Sequence, residues 1–399
     1  MKGVYIVKTG KFLPGNPVSN EEMDNYLGLL SREHKIAKRI TLQNNRIRSR
    51  YYAMDPVTKS TRYSNAEMTA KAIRAMEDAD FSIRDIALLA CGTSSPDQLV
   101  PSHTTMVHGE LESPVCEVGG VSGICCSGMY AIKYGYLSIL SGEHSEAVAA
   151  GSELLSSFMG DKNFNISVSG GEVNRLDKEP INTFESAFLR WMLSDGAGAM
   201  LLRDTPAAGR ISLKIEWIDL KSYAGELETC MYAGAVKTEE GTIRGWREFS
   251  LDERSAKELF AFKQDVKLLN GNMSRIAIKE HLRGVVARRG LRVDEIDYFL
   301  PHLSSFYFKD EIHRYMQEIG FDVPLSRWFT NLGYVGNIGA AAIFVMLEEL
   351  MNEGVPVIDE NGEITDRGER TPLKKGQKLL CGIPESGRFT NAFMLLTVV

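Results

Sequence analysis

The chain has 399 residues, 44% hydrophobic and 25% charged, enough apolar mass for a sizeable core in two domains or one two-part domain. Its net charge of −6 gives no global attraction to nucleic acid, so any phosphate binding must come from a local basic patch. No apolar run reaches the ~18 residues of a membrane span, and the opening MKGVYIVKTGKFLPG lacks a signal peptide's apolar stretch and cleavage site, which predicts a cytoplasmic protein with no membrane partner.

Taken in order, the apolar runs at 86–92, 146–151, 199–204, 297–302, 378–382 and 392–399 predict buried strands. Helical patterns lie between them at 65–79, 129–143, 273–290 and 340–354. The alternation predicts an α/β protein with mainly parallel sheets. The two halves also echo each other. IRDIALLACGTSS (83–95) resembles VDEIDYFLPHLSS (293–305), and the long helices, the strands ending in glycine and the closing strands recur in the same order. This predicts an internal duplication with a boundary near Pro206–Gly209, giving an N-terminal half at 1–205 and a C-terminal half at 206–399. The stretch 218–262 is expected to carry a loop or flap, and 357–376 reads as a polar loop.

Six cysteines, Cys91, Cys116, Cys125, Cys126, Cys230 and Cys381, form no CxxC pair and no regular framework, so neither a disulfide scaffold nor a zinc site is expected. No metal or nicotinamide cofactor is implied, and the run Ser167–Glu172 lacks the Lys-Ser/Thr of a phosphate loop. In GGVSGICCSGMYAIKYG (119–135), two cysteines sit where a glycine-rich stretch turns helical. A helix N-terminus favours a thiolate and offers N–H groups to a developing oxyanion. Overlaying the halves brings the cysteine pair, His302 and Asn337 toward one point at equivalent strand or helix ends. Each also has a bland reading: a buried cysteine is commonly a small hydrophobe, a lone histidine structural, an asparagine a turn or cap.

At these residues the chain resembles the thiolase-fold condensing enzymes, most of all the β-ketoacyl-acyl-carrier-protein synthase III type. Pro301-His302 and the run Gly336-Asn337-Ile338-Gly339-Ala340-Ala341 match its histidine and asparagine signatures. TGKFLPGNPVSNEEM (9–23), SDGAGAMLL (194–202) and SGRFTNAFMLL (386–396) match further motifs, so the likeness runs nearly end to end. Two registers compete for the nucleophile. A short C-S-G reading selects Cys126, whereas the spacing to Gly128 and Ala131 and the helix length behind them select Cys125. The resemblance implies a duplicated thiolase-like fold, five-layered αβαβα with two pseudo-symmetric halves. It implies a ping-pong mechanism in which Cys125 is acylated, His302 and Asn337 stabilise an enolate, and the N–H groups of Cys125 and Gly387 form an oxyanion hole. The resemblance also implies no bound cofactor, substrates carried on coenzyme A or on the phosphopantetheine of an acyl carrier protein, and a homodimer.

The chain departs from that pattern in three ways. Ile383-Pro384-Glu385-Ser386-Gly387-Arg388 replaces a run of glycines, His302-Leu303-Ser304-Ser305 replaces an HxxN pattern, and extra residues fall near 31–60, 157–188 and 357–376. The opening KFLPGNPVSNEEMDNYLG with NNRIRSRYYAMD (44–55) looks most like ketosynthases of dialkylresorcinol and bacterial stilbene pathways, which join two thioesters by Claisen condensation and Michael addition into a cyclohexane-1,3-dione. Glu153 is a candidate base or anchor for that second step. Arg46, Arg48 and Arg50, in a cluster with Arg32, Lys35, Lys38 and Arg39, and Lys309 and Arg314 are candidates for binding the carrier or coenzyme A phosphate. The alternatives are an ordinary initiating synthase III, an acyltransferase to an oxygen or nitrogen acceptor, a thiolase using Cys381 as second cysteine, and a non-catalytic partner subunit.

Overall fold

The structure, a computed structural model, describes residues 3–28, 32–163 and 188–399. The Ser167–Glu172 run and most of the 157–188 insertion lie outside the described residues, as do the side chains of Arg32 and Lys35. Nine strands form one sheet: β1 (Tyr5–Phe12), β2 (Leu88–Thr93), β3 (Glu117–Ser122), β4 (Glu146–Glu153), β5 (Gly196–Arg203), β6 (Leu213–Ser222), β7 (Tyr298–Pro301), β8 (Lys378–Pro384) and β9 (Thr390–Val398). Their order is β7-β8-β9-β6-β1-β5-β4-β2-β3. The first five strands are therefore ordered β3-β2-β4-β5-β1 outward to inward, and the last four repeat that order in mirror image as β7-β8-β9-β6. The slot equivalent to β3, beside β7, holds only an isolated parallel bridge between Phe299 and Trp328. The halves join at a narrow seam, where Tyr5 pairs with Lys214 and Ile6 with Leu213.

Strand periodicity sends alternate side chains into different cores. On β4, Ala147 and Ala149 face a central core, whereas Val148 and Ala150 face an outer one. On β9, Met394 and Leu396 face the same central core, whereas Phe393 and Leu395 face a second outer one. The central core is filled by two helices, α3 (Ser127–Ser141) and α6 (Ala342–Asn352). The outer cores hold α1 (Asn65–Arg74) and α2 (His103–Leu111) on one side, and α4 (Val266–Ser274) and α5 (Lys309–Glu318) on the other. The result is five alternating layers of helix and sheet, as the resemblance implies.

Local chemistry explains several boundaries. Ser64 and Glu67 form a reciprocal capping box that starts α1. Gly142, at φ 84°, ends α3 in a left-handed turn. Every residue from Ala342 to Leu350 of α6 is buried, as an interior helix requires, and its two carboxylates are paired: Glu348 with Lys11 at 2.6 Å and Glu349 with Arg370 at 2.7 Å. The central layers approach closely at Gly128, where a Cβ would stand 2.3 Å from the Ala340 carbonyl oxygen.

Three expectations are corrected here. The sheet is mixed, not mainly parallel: β2–β3, β2–β4 and β7–β8 pair parallel, whereas β4–β5, β5–β1, β1–β6, β6–β9 and β9–β8 pair antiparallel, because the closing strands of each half run back against their neighbours, a pairing that needs no crossover helix. The supposed loop at 357–376 is mostly a β-ribbon, Val355–Ile358 paired with Ile364–Thr371; its charged side chains sit on an exposed hairpin, where strand pairing needs no apolar face. The supposed flap begins later than 218, because Ile218 to Ser222 complete β6. Beyond it, short ribbons pair Met231–Tyr232 with Lys263–Gln264 and Ala235–Lys237 with Ile243–Gly245. Among the described residues, no helix is long and apolar enough to cross a membrane, and no cluster of His, Cys, Asp and Glu could hold a metal.

Candidate active site

The turn entering α3 orients the cysteine pair in two directions. Ser127 donates both its N–H and its hydroxyl to the Ile124 carbonyl, at 3.0 and 2.7 Å, closing a tight turn around Cys125. Cys126 is the residue before the helix; it is fully buried and its Sγ donates to the Ile383 carbonyl at 3.2 Å. Cys125 instead lines a cavity that it shares with Ser94, Glu153, Ser304, Asn337, Gly339 and Ser386, under an apolar wall of Leu155, Met192 and Met231.

Asn337 is pinned between segments of both halves. Its N–H donates to the Met192 carbonyl at 3.1 Å, and its own carbonyl accepts from Ser194 N–H at 2.9 Å. Its side-chain oxygen accepts from Gly339 N–H at 3.1 Å, which leaves the side-chain NH₂ as a donor unused among the described residues. The Asp195 carboxylate steadies the same segment by accepting N–H bonds from Ala53 at 2.7 Å and Ser156 at 2.8 Å. His302 follows β7, its N–H held by the Gly382 carbonyl at 2.8 Å. It is buried two residues before the cavity-lining Ser304 and is not itself in the wall. Among the described residues its Nε2 has no hydrogen-bond partner, a state that buried polar atoms seldom adopt without a ligand to meet.

Glu153 ends β4 and reaches across to the second half. Its carboxylate accepts hydroxyl bonds from Ser94 at 2.6 Å and Ser95 at 2.7 Å and the N–H of Ala340 at 3.2 Å. Gly339, at φ 45°, must be glycine here: a Cβ would lie 2.8 Å from a Glu153 oxygen. Ser94 and Ser95 are visible in the sequence only as part of the internal echo, not as partners of Glu153. Glu385 also escapes sequence reasoning; its one signal is a carboxylate where glycines are expected. Its Oε2 accepts the N–H groups of Cys126 at 2.9 Å and Ile124 at 3.2 Å.

Electrostatics run against one expectation. A helix N-terminus on its own lowers a thiol pKa. Burial, Glu385 and Glu153 instead push Cys125 well above the ordinary cysteine value, with only its own backbone N–H pulling the other way. Burial raises Glu153 to about 7, against the pull of its serine bonds. Burial lowers His302 to about 4, so its imidazole is neutral at pH 7 and can donate a hydrogen bond without carrying charge.

The basic candidates divide. Arg46 and Arg48 are exposed beside a groove that also contains Asn20, Phe306 and Thr330. Arg314 is exposed and paired with Glu318. Arg50 is not a docking residue: it is fully buried, with one nitrogen donating to the Trp191 carbonyl at 3.3 Å. Lys309 is not free either. Its buried ammonium donates to the carbonyls of Asn361 at 2.6 Å and Gly362 at 3.0 Å and pairs with Glu363. Lys38 pairs with Asp24. Cys381 lies within β8 in the central core, away from the cavity wall, so it does not occupy a second-cysteine position. Gly387 packs on the turn that carries Cys125, its missing Cβ 2.9 Å from the tip of Ile124.

No family model matches the chain. Curated proteins named β-ketoacyl-[acyl-carrier-protein] synthase III do: that of Clostridium perfringens is 24% identical over 356 residues, covering 89% of this chain and 92% of its own, and that of Rhizorhabdus wittichii is 25% identical over 354 residues with the same coverage. Among solved structures, the tetronic acid condensing enzyme AbyA1 superposes with a TM-score of 0.72 at 18% identity, covering 99% of both chains. A variant of Xanthomonas campestris OleA gives 0.71 at 18% identity, covering 99% of this chain and 98% of that one. The mirrored strand order, the paired central helices and these superpositions together identify the architecture: the chain has the thiolase-like α/β fold.

Proposed function

We propose that the protein is a ketosynthase that joins acyl thioesters carbon to carbon through an acyl intermediate on Cys125. One observation carries this reading: Cys125, at the mouth of a central helix, shares a single cavity with the Asn337 amide. The Cys125 thiol gives up its proton as its sulfur attacks a thioester carbonyl; the carbon–sulfur bond of the donor breaks, and the departing pantetheine sulfur takes that proton and leaves as the thiol. A malonyl-type thioester then loses carbon dioxide, and its enolate oxygen accepts hydrogen bonds from His302 and the Asn337 NH₂. The enolate carbon attacks the acyl carbonyl; the new carbon–carbon bond forms as the bond to Cys125 Sγ breaks. The N–H groups of Cys125 and Gly387 hold the oxyanion of the tetrahedral intermediate.

Glu153 favours a second step. A buried carboxylate with a pKa of about 7, in the same cavity, can take a proton from a β-diketo intermediate and so promote Michael addition to a dialkyl cyclohexane-1,3-dione. The relatives' names specify an acyl carrier protein, and we extend that partner, or coenzyme A, to this chain. Arg46, Arg48 and Arg314 are the basic candidates that remain on the surface to meet its phosphate. We also propose a homodimer. The edge strand β3 is largely exposed and flanked by Val115, 98% exposed, and Leu137, 50% exposed, an apolar face that a second copy would cover.

The test is intact-mass analysis after incubation with acyl-coenzyme A or acyl-carrier thioesters. An acyl adduct is expected that persists in Cys126→Ala and vanishes in Cys125→Ala; the reverse pattern sinks the assignment. Adding malonyl and 3-oxoacyl thioesters and identifying the product separates linear extension from ring formation, with no condensed product counting against both.

A further inference from the structure

The last loop carries a carboxylate where it can govern the nucleophile. Glu385 is buried directly after β8, its N–H fixed to the Thr390 carbonyl at 2.8 Å. Its Oε2 takes the two amides on either side of Cys125, those of Ile124 and Cys126. Its Oε1 lies 3.2 Å from where a Gly387 Cβ would be, and Ser386 lines the cavity. The flap base is tied to the same loop, since Cys230 N–H donates to the Gly387 carbonyl at 2.9 Å and Met231 N–H to the Ser386 carbonyl at 3.1 Å.

We propose that Glu385 is a positioning residue: its carboxylate fastens the last loop to the nucleophile turn and, when ionised, sets a negative charge beside Cys125. This rests on the reading of Cys125 as the acylated thiol. With its neighbours' amides occupied, the Cys125 N–H is the donor of this turn left for an oxyanion. The nearby charge opposes a free thiolate but not a neutral acyl-cysteine, so the resting site is kept as an unreactive thiol. The other titratable groups facing this turn are Glu153 from β4 and Cys126 and Tyr130 at and within α3, while His302 at the end of β7 is neutral. The largest charges acting on Cys125 are thus both carboxylates.

The experiment is site-resolved alkylation of Cys125 by iodoacetamide from about pH 6 to about pH 10, read by peptide mass spectrometry in wild type, Glu385→Gln and Glu385→Asp. The wild-type midpoint is expected above the ordinary cysteine value of 9.0. Glu385→Gln keeps an oxygen for the Cys126 amide but removes the charge; alkylation at pH 8 should rise about tenfold, with the midpoint moving down and the urea midpoint unchanged. Glu385→Asp restores the charge and should bring the midpoint back up. An unchanged profile in Glu385→Gln overturns the proposal. So does a wild-type midpoint at or below 9.0, which decides the matter even if the glutamine variant fails to fold. Absence of any acyl adduct in wild type would remove the ketosynthase reading while leaving this alkylation profile to speak for Glu385.

Discussion

Replacing Glu153 by glutamine probes the cavity through stability, with no substrate needed. In the folded chain Glu153 holds its proton up to about pH 7; an ordinary glutamate releases it near 4.5. Between these values the folded state carries the extra proton, so this residue's contribution to stability falls as pH rises through the window. At about 1.4 kcal/mol per pH unit, the gap amounts to about 3 kcal/mol, or about 4 °C in Tm for a chain of this length. Glutamine cannot ionise, its oxygen can still accept from Ala340 N–H, and the hydroxyls of Ser94 and Ser95 can rotate to meet its NH₂. Urea unfolding of both proteins should give curves that agree at the acid end, diverge between about pH 4.5 and about pH 7, and stay apart by about 3 kcal/mol above that, with the glutamine variant the more stable. Buried Asp195 and His302 titrate in the same window but are common to both chains and cancel in the difference. Curves that stay parallel within about 0.5 kcal/mol would refute the claim that Glu153 is buried as a titrating carboxylic acid. The same variant should still be acylated on Cys125 but lose ring formation.

Gly128→Ala would push a methyl to 2.3 Å from the Ala340 carbonyl oxygen, so the central helices must separate; a loss of about 3 kcal/mol in urea unfolding is expected, and a near-neutral result would mean that the layers are not held at this distance. Arg48→Glu should raise the apparent KM for a carrier-linked thioester about fivefold, more at low salt than at high, without shifting the urea midpoint. Arg50→Ala, two residues away but buried, should do the opposite, lowering stability by about 3 kcal/mol with little effect on KM; equal behaviour of the two would undo their separation into surface and core. Leu137→Glu, on the exposed face beside β3, should halve the mass seen by light scattering, and an unchanged mass would place the interface elsewhere.

What is legible in the sequence follows from how each element is buried. Strands covered on both faces read as unbroken apolar runs, so 146–151, 199–204 and 392–399 stand out from composition alone. β1 and β3 do not: YIVKTGKF is interrupted by lysines, and EVGGVS is an edge strand rich in glycine. The spacing behind Cys125 agrees with its position in the cavity wall, while Cys126 turns toward Ile383. Charge pattern is a poorer guide. Arg50 and Lys309 look like surface cations in sequence, yet each is drawn inward by backbone carbonyls contributed by distant segments. Glu385 is hidden for the converse reason, because the amides that need it belong to a turn 259 residues earlier.

The Glu153–Ala340 hydrogen bond, 187 residues apart in the chain, means that the site is a property of docking rather than of either half. The halves are linked through an exposed turn around Pro206–Gly209 that contributes nothing to the cavity wall. A chain severed there would leave the cysteine and Glu153 on one fragment and the histidine, the asparagine and Glu385 on the other. If the proposed acyl chemistry holds, turnover by such a pair would register only recombined molecules, and the two fragments would make a split reporter.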